Sequence, residues 1–551
     1  MWDYLIKNGY VVDGLGAPWY KADVAIAEGR IDAINTRLPA SKADVVYDAK
    51  GLVVSPGFID MHSHSELPML AFPTADSMIH QGVTTEFTCQ CGISMSGPLK
   101  GSALDAIDWW LAQARVDPKE FEVDWRTLEE YMARFERQGC SINGAYQAGH
   151  GTIRLCVMGW ENRAPTMDEL DEMKALVAQT MEEGAFGLST GLMYTPGNYG
   201  ETMEVIELAK VAAKYGGIHT SHDRRRGWES DPRGGRDFVT TTIDSEIWSI
   251  MEVIRIGEEA GLPTTWTHAK ACGEVNWTKS LEGWFKIIDM ARRRGVDVGI
   301  DVYPWTFRGG IVRGFPTWAE EGGPEKVRER LRDPEMYWRI RAYVKEQMET
   351  VLAEHTWDRA LILTTSEEDK DLRGKFMSEA AEMRGMEPVD LFLDRIREGK
   401  EMGGIGQAMH EEDVKTLLKH PLSMVCTDGS CLPADYDGLA HPRNYGTFPK
   451  ILRKYVREER VLTLEDAIRK MTSAGATKLG IMDRGILRPG FWADVTVFDP
   501  LNVRENATYE DPIQLSSGIE YVFVNGVLTI EHDKHTGALA GMPLKHVSAT
   551  D

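Results

Sequence analysis

Residues 58–64 read Phe58-Ile59-Asp60-Met61-His62-Ser63-His64, an apolar start running into two histidines two positions apart. In an extended backbone residues i and i+2 point to the same side, so both imidazoles can approach one ion. Alone, such a pair also fits two surface histidines near a turn. Its weight comes from the rest of the chain, where short apolar runs again end in residues of metal-ligand type. Thr84–Cys91 closes on Cys89-Gln90-Cys91, residues 217–222 close on His222, residues 263–268 on His268, and residues 422–428 on Asp428. Further runs end near Gly149, Thr190 and Tyr303, which makes eight strand ends in all. Helical patterns fill most of the intervals, at 167–183, 202–215, 245–260 and 281–294, with another at 464–471 after the last strand. Alternating strands and helices predict an α/β chain of parallel strands with crossover helices. Eight such units predict a TIM-like (β/α)8 barrel whose C-terminal strand ends carry the chemistry.

The two ends of the chain have a different pattern. Tyr4–Ile6 and Tyr10–Val12 flank Asn8-Gly9, and Val24, Ile26, Ile31 and Ile34 surround Glu28-Gly29-Arg30, so each stretch predicts a hairpin. Near the other end Val495, Val497 and Phe498 read as a strand, while Tyr521–Val524 and Val527–Ile530 straddle Asn525-Gly526. Each end can supply half of one small sheet. The expected division is a discontinuous β-domain from residues 1–55 and 479–551 around a barrel at 56–478. Residues 306–410, with their own helices and a strand expected at 360–365, are too long for a crossover. They read as an inserted subdomain over the barrel mouth, with Trp318, Trp338 and several arginines available to shape a pocket.

Composition narrows the function classes. The 551 residues carry 62 Lys and Arg against 85 Asp and Glu, a net charge of −23, and no basic cluster beyond Arg224–Arg226. A nucleic-acid partner or an acidic membrane surface would require a basic face, so neither is expected. The opening MWDYLIKNGY lacks the charged start and apolar stretch of a signal peptide, and no apolar run approaches the roughly 18 residues of a membrane span. Seven scattered cysteines argue against a disulfide framework and for reduced thiols. The reading is a soluble cytoplasmic protein with a small-molecule partner, with self-association left open.

Cys89 reads as a small buried hydrophobe, and Cys91, beside Gly92, fits either that role or a ligand; if the strand continued, the two sulfurs would share a face. His219 has the opposite parity from His222 and reads as a packed or hydrogen-bonding residue. His62, His64, His222, His268, Cys91 and Asp428 stand on the ends of five of the eight strands, more than packing alone accounts for. A carboxylate such as Asp428, placed beside a metal-activated water, accepts the water's proton and returns it to a leaving amine. Asp428-Gly429 is also an ordinary turn pair.

These residues together resemble the metal-dependent amidohydrolase superfamily. Within it the segments GFIDMHSH, QGVTTEFTCQCG, AGHGTIR, GAFGLSTGLMYTPG, GGIHTSHDR, THAK, DVYPW, TDGS and HPRNYGTF are similar, in order, to the D-aminoacylase (N-acyl-D-amino-acid deacylase) family. The resemblance implies a tighter zinc on Cys91, His222 and His268, and a second, partly filled position on His62, His64 and Asp428 with Cys91 shared. It implies that Asp428 is the general base and acid, that Lys270 anchors the substrate carboxylate, and that Tyr194 and Tyr303 donate to carboxylate or amide oxygen, although both tyrosines also fit simple packing. The fourth strand, Ala185–Gly191, has no lysine to bridge two metals as in ring-amide hydrolases. Two departures from the family pattern, Cys89-Gln90-Cys91-Gly92 and the pair Arg225-Arg226, alter charge and shape near the site. The arginine pair fits either recognition of an acidic side chain or a solvated loop. The expectation is a zinc-dependent hydrolase of N-acyl-D-amino acids or close analogues. The alternatives are a hydrolase of cyclic amides, lactones or carbamates on the same centre, and a non-catalytic binding protein.

Overall fold

Two short strands from opposite ends of the chain hold the structure together. Val53–Pro56 pairs antiparallel with Val495–Phe498, with Val54 opposite Val497, and this contact makes one nine-stranded sheet from both ends. The structure is a computed structural model that describes residues 1–551 except 115, 120, 225–242, 275, 313, 352–355, 437, 439 and 548–551.

The sheet shows how local sequence selects its turns. Glu28-Gly29 (φ 51° and 77°) and Asn525-Gly526 (φ 52° and 79°) each place two left-handed residues at a two-residue turn, as tight hairpins require. The expected hairpin at Asn8-Gly9 does not form. Trp2–Val11 is a single strand, and Asn8, at φ 63°, makes a bulge in its pairing with Tyr20–Ala27. The reason is an acceptor across the sheet: Asp23 Oδ1 takes the Asn8 N–H at 2.9 Å, so the left-handed residue is used without reversing the chain. The two true hairpins meet at their tips, where a Cβ on Gly526 would lie 2.5 Å from the Gly29 Cα.

Between the ends, parallel strands follow one another in chain order. Phe58–Asp60, Val83–Phe87 and Asn143–Ala145 form one run. Ala148–Gly149, Gly187–Gly191, Ile218–His222, Thr264–Trp266, Val298–Val302 and Ser423–Val425 form the next. The last strand lies beside the first: Met61 N–H donates to Val425 O at 3.2 Å, and Ser63 pairs parallel with Gly429. Helices cover the outer faces. Leu281–Arg293 turns Leu281, Trp284, Ile288 and Ala291 inward at helical spacing, and Trp284 meets Trp266 of the neighbouring strand edge to face, 5.8 Å between centroids.

The strand expected at 360–365 is present as Ala360–Thr365, antiparallel to Met402–Gln407, which also pairs with Phe307–Gly309. Helices Pro324–Arg332, Pro334–Glu346 and Pro388–Arg397 close over it around Leu331, Ile340, Ile362 and Leu393. All seven cysteines are free and buried. Among the described residues, no helix is long and apolar enough to cross a membrane.

The hairpin contact gives a direct test. Gly526→Ala forces a Cβ into a left-handed residue and against Gly29, a cost of about 1–3 kcal/mol. Its thermal unfolding midpoint should fall measurably below that of the parent, and an unchanged midpoint would contradict the packing described.

Candidate metal and active site

The parallel strands end early, and the residues beyond them bend inward. Regular alternation would send His268 to the same side as Trp266, out toward the helices. The strand stops at Trp266, and the left-handed backbone at His268 (φ 34°) turns its ring to the centre instead. Cys91 (φ 56°) and Asp428 (φ 51°) are held the same way. Each such residue costs of order 1–3 kcal/mol. The cost at Asp428 is offset in part by hydrogen bonds on both sides: Asp428 N–H donates to His62 O at 2.8 Å and His64 N–H to Gly429 O at 2.7 Å. Strand four passes so close to Cys91 that a Cβ on Gly191 would lie 1.9 Å from the Cys91 carbonyl oxygen, which leaves no room there for a bridging side chain.

The result is a tight cluster. Cys91 Sγ lies 3.4 Å from His62 Nε2, 3.4 Å from His222 Nδ1 and 3.5 Å from His268 Nε2. Asp428 Oδ1 lies 3.5 Å from His62 Nε2 and 3.4 Å from His64 Nε2. Three overlapping groups of potential ligands result: His62, His64 and Cys91; Cys91, His222 and His268; and His62, His268 and Asp428. The thiol can donate only one hydrogen to these three rings. A tetrahedral zinc about 2.3 Å from sulfur and about 2.0–2.1 Å from nitrogen would hold those atoms roughly 3.5 Å apart, which is the spacing found. Burial pushes the Cys91 thiol well up, with Asp428 adding to the effect, so the thiolate needs a cation beside it. The donor set therefore fits zinc.

Outer partners fix the residues of the cluster. Burial pushes Asp301 up to about 8; its Oδ1 accepts the His268 N–H at 2.6 Å and stands 3.9 Å from His62 Nδ1. Asp60 Oδ1 accepts from His62 N–H at 3.1 Å and Thr427 N–H at 2.9 Å, tying the first strand to the last. For Asp428 burial acts upward, yet Arg443 foremost, with His268, His64 and His62, draws it well below the usual carboxylate range. Arg443 Nη1 donates to Asp428 Oδ2 at 2.6 Å.

The other expected residues fall around this cluster. Lys270 Nζ lies 3.0 Å from His268 Nδ1 and 5.1 Å from the Tyr303 ring centre, and the Arg443 guanidinium lies 5.3 Å from the same ring. Tyr194 meets the His222 ring edge to face at 4.6 Å. His219 sits between the hydroxyls of Thr190 and Thr264 at 3.0 and 2.9 Å, a hydrogen-bonding residue as its parity indicates. The two sulfurs of the Cys-x-Cys do not share a face. Cys89 is itself left-handed (φ 62°), which breaks the alternation, and its sulfur turns away to Ser96 Oγ at 3.1 Å. Arg225 and Arg226 lie outside the described residues. Sequence reasoning missed Arg443, Asp60 and Asp301. Arg443 stands in the HPRNYGTF segment and follows His441, whose Nδ1 accepts its N–H at 3.0 Å.

A donor cluster at the ends of parallel strands makes a candidate metal site, and comparison with known proteins gives its family. The amidohydrolase family profile matches residues 45–215 and 360–530. An N-acyl-D-glutamate deacylase of Alcaligenes xylosoxydans xylosoxydans is 35% identical over 95% of this chain and 93% of its own. The crystal structure of the Bordetella bronchiseptica N-acyl-D-glutamate deacylase, complexed with zinc and a phosphonate mimic of the tetrahedral intermediate, superposes with a TM-score of 0.80 at 32% identity, over 99% of each chain. A D-aminoacylase with a binuclear metal centre superposes with a TM-score of 0.79 at 30% identity, over 99% of this chain and 100% of its own. The chain belongs to the amidohydrolase family.

If Cys91 is the common ligand, Cys91→Ala should weaken zinc binding by more than the roughly 10–100-fold carried by outer partners. Competition with a chromophoric chelator measures this, and an affinity equal to that of the parent would exclude Cys91.

Proposed function

We propose that the protein removes the acyl group from N-acyl-D-amino acids by zinc-dependent hydrolysis at this cluster. The observation that carries the reading is the position of Asp428: one carboxylate oxygen faces His62 and His64 while the other is held by Arg443. Cys91, His222 and His268 would hold a tighter zinc, and His62, His64 and Asp428, with Cys91 shared, a second. Bound zinc supplies an activated water and an electrophile for the scissile carbonyl.

The chain's own groups account for the remaining steps. Asp428, kept ionised by Arg443, takes the proton of the attacking water and returns it to the leaving amine, so the base of the first step is the acid of the second. Lys270 and Arg443 flank Tyr303 and offer two cations and a hydroxyl to the substrate α-carboxylate. Tyr194, against His222, is placed to donate to the oxygen on which charge develops. The preference for D-amino acids rests on the relatives.

We also infer that the ordered parallel strands close as a (β/α)8 barrel spanning 56–478, with 306–410 as an inserted subdomain. The contacts of the first strand with the last support the closure. The pairing of Val53–Pro56 with Val495–Phe498 supports a β-domain made of 1–55 and 479–551. Seven reduced thiols support a cytoplasmic location.

Primary-amine release from matched N-acyl-D- and N-acyl-L-amino acids by the zinc-loaded enzyme tests the reading. Release should be confined to the D-series, and Asp428→Asn should lower kcat by about 10²–10⁴-fold. No release from any D-amide would overturn the proposal and favour cyclic amides, lactones or carbamates. Lys270→Met, at unchanged zinc content, should raise KM by about 10- to 100-fold with a smaller change in kcat. An unchanged KM would remove Lys270 from carboxylate binding.

A further inference from the structure

Tyr194 faces two ways. Its ring meets His222 of the metal cluster, and it also lines a cavity of about 1260 Å³ that lies between the loop after strand four and residues 309–405. Pockets of roughly 300–1,000 Å³ take drug-sized ligands, so this volume far exceeds the need of an acetyl group. Trp109, Trp160, Leu192, Phe315, Val327 and Leu363 are among its walls.

Among the described residues, the arginines and the lysine on its walls are paired with carboxylates. Arg224 binds Glu252, Arg255 binds Glu259, Arg328 binds Glu325, and Lys400 binds Glu398. A cavity whose cations are neutralised in this way gives a carboxylate no particular advantage, whereas its aromatic and aliphatic surface favours an apolar occupant. Lys270 and Tyr303 are not among the residues that line it, and Arg443 reaches only its edge, its Nη2 lying 3.7 Å from where a Cβ on the wall residue Gly309 would sit.

Amide geometry decides which part of a substrate reaches the cavity. A trans amide sends its acyl chain and its α-carbon in opposite directions from the C–N bond. With the α-carboxylate on Lys270 and Arg443 and the carbonyl at the donor cluster, Tyr194, which touches both the cluster and the cavity, marks the way an acyl chain would leave the cluster. We infer that the cavity holds this chain and that the preferred substrates are N-acyl-D-amino acids with a long apolar acyl group. This rests on the deacylase reading above.

The test is a series of N-acetyl, N-butanoyl, N-octanoyl and N-lauroyl amides of one D-amino acid, run beside N-acetyl amides of D-amino acids with different side chains. Burial of each added CH₂ is worth about a fourfold gain in affinity. The ratio of kcat/KM for octanoyl over acetyl should therefore exceed about 30-fold even if only part of the chain is buried. Ile396→Trp, and independently Met203→Trp on the more exposed wall, should lower that ratio by filling the cavity. Cleavage of the acetyl amide with a flat or falling dependence on chain length would overturn the inference and leave the deacylase reading standing. A gain with bulky apolar side chains in place of long acyl chains would also overturn it, by assigning the cavity to the side chain. No cleavage of any D-amide would remove the deacylase reading itself.

Discussion

A sulfur closed over by protein within 3.5 Å of three imidazole nitrogens is spaced as a thiolate and imidazoles around one ion would be. The Asp428 carboxylate approaches the same nitrogen of His62, so thiol, imidazoles and carboxylate converge on one point, as the donors of a cation site do. Much of the surrounding structure follows from holding these groups together. Asp301 and Asp60 accept the backbone N–H of His268 and His62, Gly191 clears space for the Cys91 backbone, and the first and last strands are tied across Asp60 and Thr427. Outer partners of this kind orient ligands and tune the ion they hold.

Charge is layered around the same point. Arg443 keeps Asp428 ionised and, with Lys270, makes one side of the site cationic. In the proposed reading an anionic end of a substrate is drawn to that side, and the susceptible bond is left over the donors. Past Tyr194 the cavity is walled in part by aromatic and aliphatic side chains, and the cations described on its walls are paired. On the inference drawn above, such a site would orient a molecule with one charged and one apolar end.

Sequence periodicity revealed the strands, because short apolar runs separated by helical patterns are what parallel strands with crossover helices require. The ligand-type residues at strand ends were legible for the same reason. Parity was less dependable. It placed His219 correctly, since the strand there is regular, yet it gave Cys89 and Cys91 a common face that left-handed backbone removes. His268 reaches the centre through a similar departure, although its neighbour Trp266 points outward. The Asn8-Gly9 hairpin failed because a distant acceptor, Asp23, stabilises a bulge, and local turn chemistry carries no record of such a partner. Arg443 was hidden differently. A single arginine in a loop after the last strand has no spacing signal, and only the fold brings it to Asp428.

X-ray absorption at the zinc edge of the loaded protein tests the central claim most directly. The account predicts a sulfur scatterer at about 2.3 Å together with imidazole nitrogens at about 2.0–2.1 Å, the sulfur disappearing in Cys91→Ala. A shell of nitrogen and oxygen alone in the parent protein would contradict it, for the thiol would then stand beside the ion and not hold it.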